Sequence, residues 1–231
     1  MLGLFDSGSG GLNTVRYIKK LAPMVDLIYK IDRKNAPYGT KTEKDLIGII
    51  ESNLDELADR GAHKILIACC TASALYDKLS ERHRAMSIPI ISPIADAAKA
   101  SSENGRIGVI ATLGTVRSHA FAKALCDRAV FEIAAQELVG LIDGGVCDKN
   151  ATQEDLYTLE RIVLPLARKN TDTLILGCTH FPALYESFTR VCRPLGIKNV
   201  IDSAKVGAMT LLKDTENKER IYKWQITEEE E

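Results

Sequence analysis

Short β-rich runs alternate with helical patterns along almost the whole chain, and this alternation limits the folds open to it. Eight runs carry the apolar and β-branched residues typical of strands: Leu2 to Phe5, Asp26 to Ile31, Lys64 to Ala68, Ile88 to Ser92, Arg106 to Ala111, Val130 to Ala134, Thr173 to Gly177 and Asn199 to Asp202. Strands that alternate with helices favour parallel sheets covered by helices on both faces. The sequence therefore predicts the α/β class.

Two of the intervening segments predict helices with defined starts. From Thr42 onward, apolar residues recur at spacings of three and four, and Thr42 with Asp45 forms a capping-box pattern. Thr152 with Asp155 repeats that pattern ahead of a second apolar stripe. Pro165 interrupts this second stripe, so we expect it to kink or end the helix.

Length and charge exclude several classes of protein. The chain has 231 residues, enough for one large or two small domains. Its 30 Lys and Arg residues balance 31 Asp and Glu residues, so it offers no basic field for nucleic acid or an anionic membrane. No apolar stretch approaches the roughly 18 residues of a membrane helix, and the N-terminus does not resemble a signal peptide. We expect a cytoplasmic protein with neither a nucleic-acid nor a membrane partner.

The six cysteines are too sparse for a disulfide framework, which predicts free thiols in a reducing compartment. A free cysteine is usually a small buried hydrophobe, and this interpretation is kept for Cys126, Cys147 and Cys192. Two others occupy matching contexts. Residues 64–71 and 173–180 share one order of features: an apolar strand, a small residue, a cysteine and then polar residues.

The matching segments predict two similar lobes, each with a cysteine at the carboxyl end of a strand, where ligands bind in open α/β sheets. A thiol there, near hydroxyls and a helix N-terminus, is expected to favour the thiolate. His180 lies two residues after Cys178, so it can exchange protons with that thiol.

A glycine-rich turn at residues 5–12 follows the first strand and precedes a helix. Its exposed backbone N–H groups suit an anion, although neither the Walker nor the Rossmann spacing is met. Asp6 at the mouth of such a turn has no obvious packing purpose. A second loop, residues 35–40, places Tyr38 between Pro37 and Gly39, where its hydroxyl can reach a ligand.

The residues alone leave two interpretations open. In one, Cys69, Cys70, Cys178 and His180 bind zinc, although adjacent cysteines chelate one metal ion poorly. In the other, a thiol from each lobe faces a small anion-binding cleft. That arrangement suits a reaction that needs an acid on one face of a carbon and a base on the other.

Five segments, residues 5–12, 37–41, 68–73, 177–182 and 201–204, resemble the glutamate racemases of the cofactor-independent aspartate/glutamate racemase superfamily, in order and spacing. The resemblance implies two flavodoxin-like lobes related by a pseudo-twofold axis, with the active site in the cleft between them. It divides the chain into residues 1–92 plus 207–231 and residues 93–206.

The same resemblance implies an isomerase that interconverts L- and D-glutamate, without a cofactor or metal, to supply peptidoglycan synthesis and so maintain cell shape. Glutamate is then the small-molecule partner, and a homodimer is consistent with the family. Cys69 and Cys178 correspond to the two bases, acting on D- and L-glutamate respectively. Asp6 resembles the carboxylate that assists the first thiol, and His180 the imidazole that assists the second; both also match substrate-binding positions. The other substrate-binding positions correspond to Ser7, Tyr38, Gly39, Cys70, Thr71, Thr112, Thr115 and Thr179.

The chain departs from the family pattern twice. Cys70 stands where the family has an asparagine, and a thiol cannot replace the two donors and the strong acceptor of an amide. Asp143 stands in the place of a glutamate near the site. These departures leave two alternatives to a glutamate racemase: a racemase of a related substrate such as aspartate, or a weakly active relative that only binds an acidic ligand. A zinc or thiol-redox enzyme ranks below both.

Overall fold

The computed structural model describes residues 1–213 and 225–228 and divides them into two compact units. Unit 1 comprises Met1–Ile90 and the described residues from Ala204 onward, and unit 2 comprises Ile91–Ser203. None of the helices in the described ranges is both long and apolar enough to cross a membrane.

One or two helices separate consecutive strands along the chain. The strands are β1 (Leu2–Asp6), β2 (Leu27–Ile31), β3 (Lys64–Ile67), β4 (Ser87–Pro89), β5 (Arg106–Ala111), β6 (Ala129–Ala134), β7 (Thr173–Gly177), β8 (Asn199–Ile201) and β9 (Gln225–Glu228). The helices are α1 (Leu12–Leu21), α2 (Glu43–Asp59), α3 (Cys70–Ser73), α4 (Glu81–Met86), α5 (Ile91–Ser101), α6 (Leu113–Ser118), α7 (Ala120–Ala124), α8 (Gln136–Asp143), α9 (Gln153–Ala167), α10 (Tyr185–Cys192) and α11 (Ser203–Leu212).

Each unit contains one parallel sheet, and the two sheets share a strand order. In unit 1 the order is β4-β3-β1-β2-β9, and in unit 2 it is β6-β5-β7-β8. Numbered from the first strand of each unit, both therefore contain the order 2-1-3-4, with β9 added beyond β2. The α/β class with parallel sheets, predicted from the strand and helix alternation, is confirmed.

This order creates a switch point between the first and third strands of each sheet, because the chain leaves those two strands in opposite directions. In unit 1 the switch point lies between β1 and β3, where the Ala68 N–H donates to the Phe5 carbonyl at 2.8 Å. In unit 2 it lies between β5 and β7, whose last residues Ala111 and Gly177 are partners in register. Ligands of open α/β sheets bind at such switch points, so the strand order marks one candidate position in each unit.

The helices with predicted capping patterns form as expected. The Thr42 hydroxyl accepts from the Asp45 N–H at the start of α2, and Thr152 with Asp155 forms a full capping box on α9. Pro165 lies inside α9, which continues for two residues and ends at Ala167. A proline this close to the end removes one hydrogen bond from the last turn only, so the helix is not stopped at once.

Each unit has its own core beside its sheet. In unit 1, α2 buries Ile50, Leu54 and Leu57 completely against β1 and β3, and each such side chain contributes about 1.5–3 kcal/mol. In unit 2, the apolar face of α9 packs over β5 and β7. Gly108 in β5 lies beneath Leu166, whose Cδ1 would be 2.9 Å from an added Cβ atom.

The sequence analysis did not predict β9. Glu228, the first residue of the acidic run 228–231, is the last residue of this strand and pairs with Ile31. Residues 229–231 lie outside the described part of the chain.

Candidate active site

The carboxyl ends of β1 and β3 bring Asp6, Ser7 and Cys69 together. Asp6 is the last residue of β1, and Cys69 lies at the N-terminal end of α3, just beyond β3. Both side chains are buried. The Ser7 hydroxyl lies 3.2 Å from the Cys69 sulfur, within hydrogen-bond distance. Parallel pairing of β1 with β3 therefore places a carboxylate and a hydroxyl beside this thiol.

The glycine-rich turn is built around the Asp6 carboxylate. Ser9–Gly11 form a short 3₁₀ turn ahead of α1, and the Tyr29 hydroxyl donates to the Gly8 carbonyl at 2.8 Å. A Cβ atom added at Gly11 would lie 2.6 Å from the Tyr29 hydroxyl and 2.9 Å from Asp6 Oδ2. Only glycine lets the backbone approach this closely, so the turn holds Asp6 from one side.

Burial and the charge of Asp6 raise the pKa of the Cys69 thiol to about 11, although hydrogen bonds from Ser7 and from the Ala72 and Thr71 backbone act in the other direction. The expectation that this position favours a thiolate is therefore wrong for Cys69. The helix that follows, Cys70–Ser73, has only four residues, too few for a large dipole to offset desolvation beside an anion. At neutral pH Cys69 holds its proton.

The Tyr38 loop is fastened to the end of β2. The Tyr38 hydroxyl donates to Asp32 Oδ2 at 2.7 Å, and the same carboxylate accepts from Asn35 and Asn53. Burial and the Asp32 hydrogen bond raise the pKa of Tyr38, with smaller contributions from the charges of Cys69 and Asp6. Tyr38 is consequently a neutral hydroxyl at any physiological pH.

The carboxyl ends of β5 and β7 gather the second set. Cys178 follows β7 directly, and its sulfur lies 3.7 Å from His180 Nδ1. The other ring nitrogen, His180 Nε2, lies 3.2 Å from Asp143 Oδ1 at the end of α8. A carboxylate on Nε2 favours the tautomer that carries its proton there, which leaves the Nδ1 lone pair facing the thiol. The Asp143 carboxylate is therefore within ion-pair distance of His180.

Hydroxyls line the same end of the unit 2 sheet. Thr112 caps α6 by accepting from the Thr115 N–H, and their hydroxyls lie 3.0 Å apart. Thr115 and Thr179 are buried. Thr112 and Cys178 each follow one of the register partners Ala111 and Gly177, so the unit 2 candidates converge on one switch point.

Residues 13–211 of the chain match the family model described as Asp/Glu/Hydantoin racemase. The chain belongs to this racemase family. A glutamate racemase from Gloeobacter violaceus is 39% identical over 189 residues, which cover 80% of this chain and 69% of that protein. A second, from Desulforudis audaxviator, is 38% identical over 84% of this chain and 71% of its own length.

Solved structures agree with the sequence relatives. The crystal structure of glutamate racemase from Francisella tularensis in complex with D-glutamate superposes with a TM-score of 0.79 at 28% identity, covering 98% of this chain and 88% of that one. A glutamate racemase isoform from Bacillus anthracis gives the same TM-score at 30% identity, over 91% and 79% of the two chains. The resemblance predicted from five motifs is confirmed.

Two residues that hold the Tyr38 loop, Asp32 and Asn53, were not predicted from the sequence of this racemase family member. A signal for Asp32 was available: it directly follows β2, as Asp6 ends β1. Asn53 could not have been found, because it lies in the middle of α2 and reaches Asp32 across 21 residues. Cys70 and Thr71 form the start of α3, and Gly39 lies in the 3₁₀ turn Tyr38–Thr40.

The remaining cysteines divide by burial. Cys192 is buried, and burial raises its pKa to about 12, as expected for a structural thiol. Cys126 is exposed and Cys147 is partly exposed, so the expectation that they fill the core is wrong for the first and only partly right for the second. Cys126 lies two residues beyond the end of α7 in unit 2.

No group of three or more His, Cys, Asp and Glu residues in the described ranges is placed to hold a metal ion. The zinc interpretation named four ligands, of which Cys178 and His180 are neighbours and Cys69 and Cys70 are neighbours. What the described geometry provides at each sulfur is a proton acceptor: the Asp6 carboxylate beside Cys69 and the His180 imidazole beside Cys178.

Proposed function

We propose that the chain interconverts L- and D-glutamate by moving the α-proton through two thiols, Cys69 and Cys178. The observation that carries the proposal is that both units place a cysteine at the same topological position, the carboxyl end of the third strand at a switch point. Relatives at 38–39% identity are glutamate racemases, which supplies the substrate.

The reaction needs a base on one face of the α-carbon and an acid on the other. One sulfur, as thiolate, takes the α-proton, and the electron pair of the broken C–H bond is left on the α-carbon and delocalises into the adjacent carboxylate. The opposite thiol then donates its proton to the other face of that carbon. The thiol and thiolate have exchanged places after one turnover, so the pair is a coupled titrating system.

We assign Cys69 as the base for D-glutamate and Cys178 as the base for L-glutamate, following the family resemblance. With a pKa of about 11, Cys69 is ready to act as an acid toward a carbanion. To act as a base it must first lose its proton, and we propose that the Asp6 carboxylate, whose charge acts on this thiol, accepts it. About three Cys69 thiols in ten thousand are ionised at pH 7.5 without such help.

Cys178 has a different route to the thiolate. His180 Nδ1 can take the thiol proton, and the resulting imidazolium is stabilised by Asp143 on Nε2. We propose that Asp143 positions the imidazole and does not touch substrate. Its side chain is half-exposed, so this stabilisation is modest.

Hydroxyls and backbone N–H groups at the two strand ends are proposed to bind the substrate carboxylates and ammonium group. These groups come from the residues that match the family's binding positions: Ser7, Tyr38, Gly39, Cys70, Thr71, Thr112, Thr115 and Thr179. Preorganised donors of this kind stabilise charge that develops on the carboxylate in the transition state. The thiol of Cys70 in place of an amide weakens this set, and it is the position where specificity for glutamate over aspartate is best tested.

We also propose that the D-glutamate serves peptidoglycan synthesis in the cytoplasm. All six cysteines are free, which suits a reducing compartment. The family resemblance further suggests a homodimer, which sedimentation analysis of the purified chain tests directly.

The test of the proposed function is α-proton exchange in D₂O, followed by NMR and circular dichroism, with L- and D-glutamate and both enantiomers of aspartate. Racemisation with deuterium incorporation from either glutamate enantiomer is the expected result. Exchange with aspartate alone would move the substrate assignment, and no exchange with any of the four would leave only a binding role. A stoichiometric metal in the active protein would contradict two free thiol bases.

A further inference from the structure

The glycine-rich turn of unit 1 rests on a buried tyrosine from the neighbouring strand. Tyr29 is the third residue of β2 and is the register partner of Leu4, which lies two residues before Asp6 in β1. Register partners, and residues two apart in a strand, point to the same face of a sheet. Tyr29 therefore shares a face with Asp6, and it is only 1% exposed.

The Tyr29 side chain meets the turn at two points. Its hydroxyl donates a hydrogen bond to the Gly8 carbonyl at 2.8 Å. Its Cε2 atom would lie 2.8 Å from a Cβ atom added at Gly11, so the backbone passes directly over the ring there. A phenylalanine ring would fill the same space, but only the hydroxyl can hold a carbonyl of the turn. Tyr29 thus ties the turn to β2 at Gly8, a residue with no side chain of its own.

Gly8 is joined directly to Ser7, the residue whose hydroxyl lies beside the proposed base. The Ser7 hydroxyl is 3.2 Å from the Cys69 sulfur, and it is the donor when Cys69 is a thiolate. Burial and the charge of Asp6 raise the pKa of Cys69, and the Ser7 hydrogen bond is the largest contribution that acts against them. The placement of Ser7 therefore affects how readily Cys69 forms a thiolate.

We propose that Tyr29 is a positioning residue for Cys69, acting through the Gly8 carbonyl and the Ser7 hydroxyl. Without the Tyr29 hydroxyl, the Gly8 carbonyl loses its donor, and the turn is free to shift Ser7 away from the sulfur. The effect on turnover rests on the proposed function, in which Cys69 is a base. The effect on the thiol itself does not, because it can be measured without any racemisation.

Tyr29→Phe tests the proposal by removing a single oxygen atom. The measurement is the rate of Cys69 alkylation by iodoacetamide at about pH 8.5, where the rate is proportional to a small fraction of thiolate. We expect Tyr29→Phe to lower this rate about three-fold and Ser7→Ala to lower it at least as much. Cys178 of the same molecules is an internal reference and should react at its wild-type rate.

The matched control is Tyr76→Phe, which removes the same kind of bond elsewhere in unit 1. The Tyr76 hydroxyl donates to the Arg84 carbonyl of α4 at 2.9 Å, and α4 directly precedes the amino end of β4. That end of the sheet is opposite to the strand ends that carry Asp6 and Cys69. Tyr76→Phe should therefore change neither the alkylation rate of Cys69 nor turnover.

The double variant Ser7→Ala/Tyr29→Phe distinguishes positioning from general loosening of unit 1. If Tyr29 acts through Ser7, its hydroxyl has nothing left to position once the Ser7 hydroxyl is gone, so the double variant should react like Ser7→Ala alone. Independent effects would multiply and would overturn the proposal. A Cys69 rate that is unchanged or raised in Tyr29→Phe would also overturn it. Circular dichroism and the urea midpoint of each variant verify that it is folded.

Racemisation of D-glutamate by the same variants connects the thiol to turnover. We expect kcat/KM to fall about three-fold in Tyr29→Phe, in parallel with the alkylation rate. A slower Cys69 reaction in a chain whose wild type does not racemise glutamate would support the positioning role of Tyr29 and refute the proposed function. Wild-type alkylation of Cys69 in Tyr29→Phe, in a chain that does racemise glutamate, would do the reverse.

Discussion

The two units share a strand order and a cysteine position, yet they surround the two thiols with different chemistry. Cys69 lies beside a carboxylate and a hydroxyl, from Asp6 and Ser7, and its pKa is raised. Cys178 lies beside an imidazole, from His180, which is itself held by Asp143. Topology therefore sets where the thiols lie, and the adjacent side chains set how each one gains and loses a proton.

The difference is useful to a racemase. The equilibrium constant between enantiomers in free solution is one, so neither direction can be favoured by the overall thermodynamics. What the site must supply is a proton acceptor for each thiol in turn, and two unlike acceptors can do this equally well. The comparison predicts that the thiol of each unit can be disabled separately.

The largest effect is expected from the thiols themselves. Cys69→Ser and Cys178→Ser should each lower racemisation about 10³-fold or more, because a serine hydroxyl is far too weak an acid to replace a thiol. Circular dichroism of glutamate measures the loss. Cys126→Ser, the same substitution at an exposed cysteine, is the control and should leave turnover unchanged.

The same variants sharpen the comparison through proton exchange. Cys178→Ser keeps Cys69, the base assigned to D-glutamate, so it should still exchange the α-proton of D-glutamate with D₂O. Cys69→Ser keeps Cys178 and should exchange only the α-proton of L-glutamate. Near-wild-type turnover in either variant would refute the two-thiol mechanism. The opposite pattern of exchange would reverse the assignment of the two bases.

The positions of these thiols could be predicted from the sequence because they depend on a local pattern, an apolar strand followed by a small residue and a cysteine. The protonation state of Cys69 could not, because it depends on burial and on Asp6, which is 63 residues away in the chain. Asp32 was missed for the same reason: its role depends on Asn53, which approaches only when α2 packs against β2.

The next largest loss of racemisation is expected from replacing Asp6, the carboxylate at the end of β1 in unit 1. Asp6→Asn removes the negative charge that helps to raise the pKa of Cys69, so the midpoint of Cys69 alkylation by iodoacetamide should move from about pH 11 to lower pH. Racemisation should nevertheless fall about 10²-fold, because the acceptor for the thiol proton is lost. Mass spectrometry of the Cys69 peptide follows the alkylation.

Asp59→Asn, at the exposed end of α2, is the control for the Asp6 experiment. It should change neither the alkylation midpoint nor turnover. An unchanged midpoint in Asp6→Asn would show that burial alone sets the protonation of Cys69, and unchanged turnover would remove Asp6 from proton transfer.

A smaller effect is expected at Asp143 in unit 2, because this carboxylate acts on substrate only through His180. Asp143→Asn should lower turnover about ten-fold, a typical cost of losing an orienting partner. Asp143→Glu should restore most of it, since the longer side chain still reaches Nε2. Slower α-proton exchange of L-glutamate relative to D-glutamate in Asp143→Asn would distinguish positioning of His180 from general damage to the fold.

The smallest effect on activity is expected at Asp172. This residue directly precedes β7, so it lies at the amino end of the strand whose carboxyl end precedes Cys178. Burial alone would raise the pKa of Asp172, but hydrogen bonds from Ser102, Asn104 and Thr173 outweigh it and lower that pKa. A carboxylate whose folded pKa is lowered stabilises the fold above the unfolded pKa of about 3.9, and this stabilisation is lost as pH falls through the folded value.

Asp172→Asn should therefore cost about 1–3 kcal/mol of unfolding free energy at pH 7, since it leaves buried donors poorly matched, and racemisation at 25 °C should be unchanged. The cost should shrink below pH 4, because the wild-type carboxyl is then protonated in the unfolded chain and loses its advantage. Urea unfolding at pH 7 and pH 3 measures both values. Asp127→Asn is the matched control: its pKa is also lowered, by Lys99, but the carboxylate is exposed and the substitution should change stability little. A pH-independent cost at Asp172 would mean that packing at the start of β7, and not the charge of its carboxylate, stabilises unit 2.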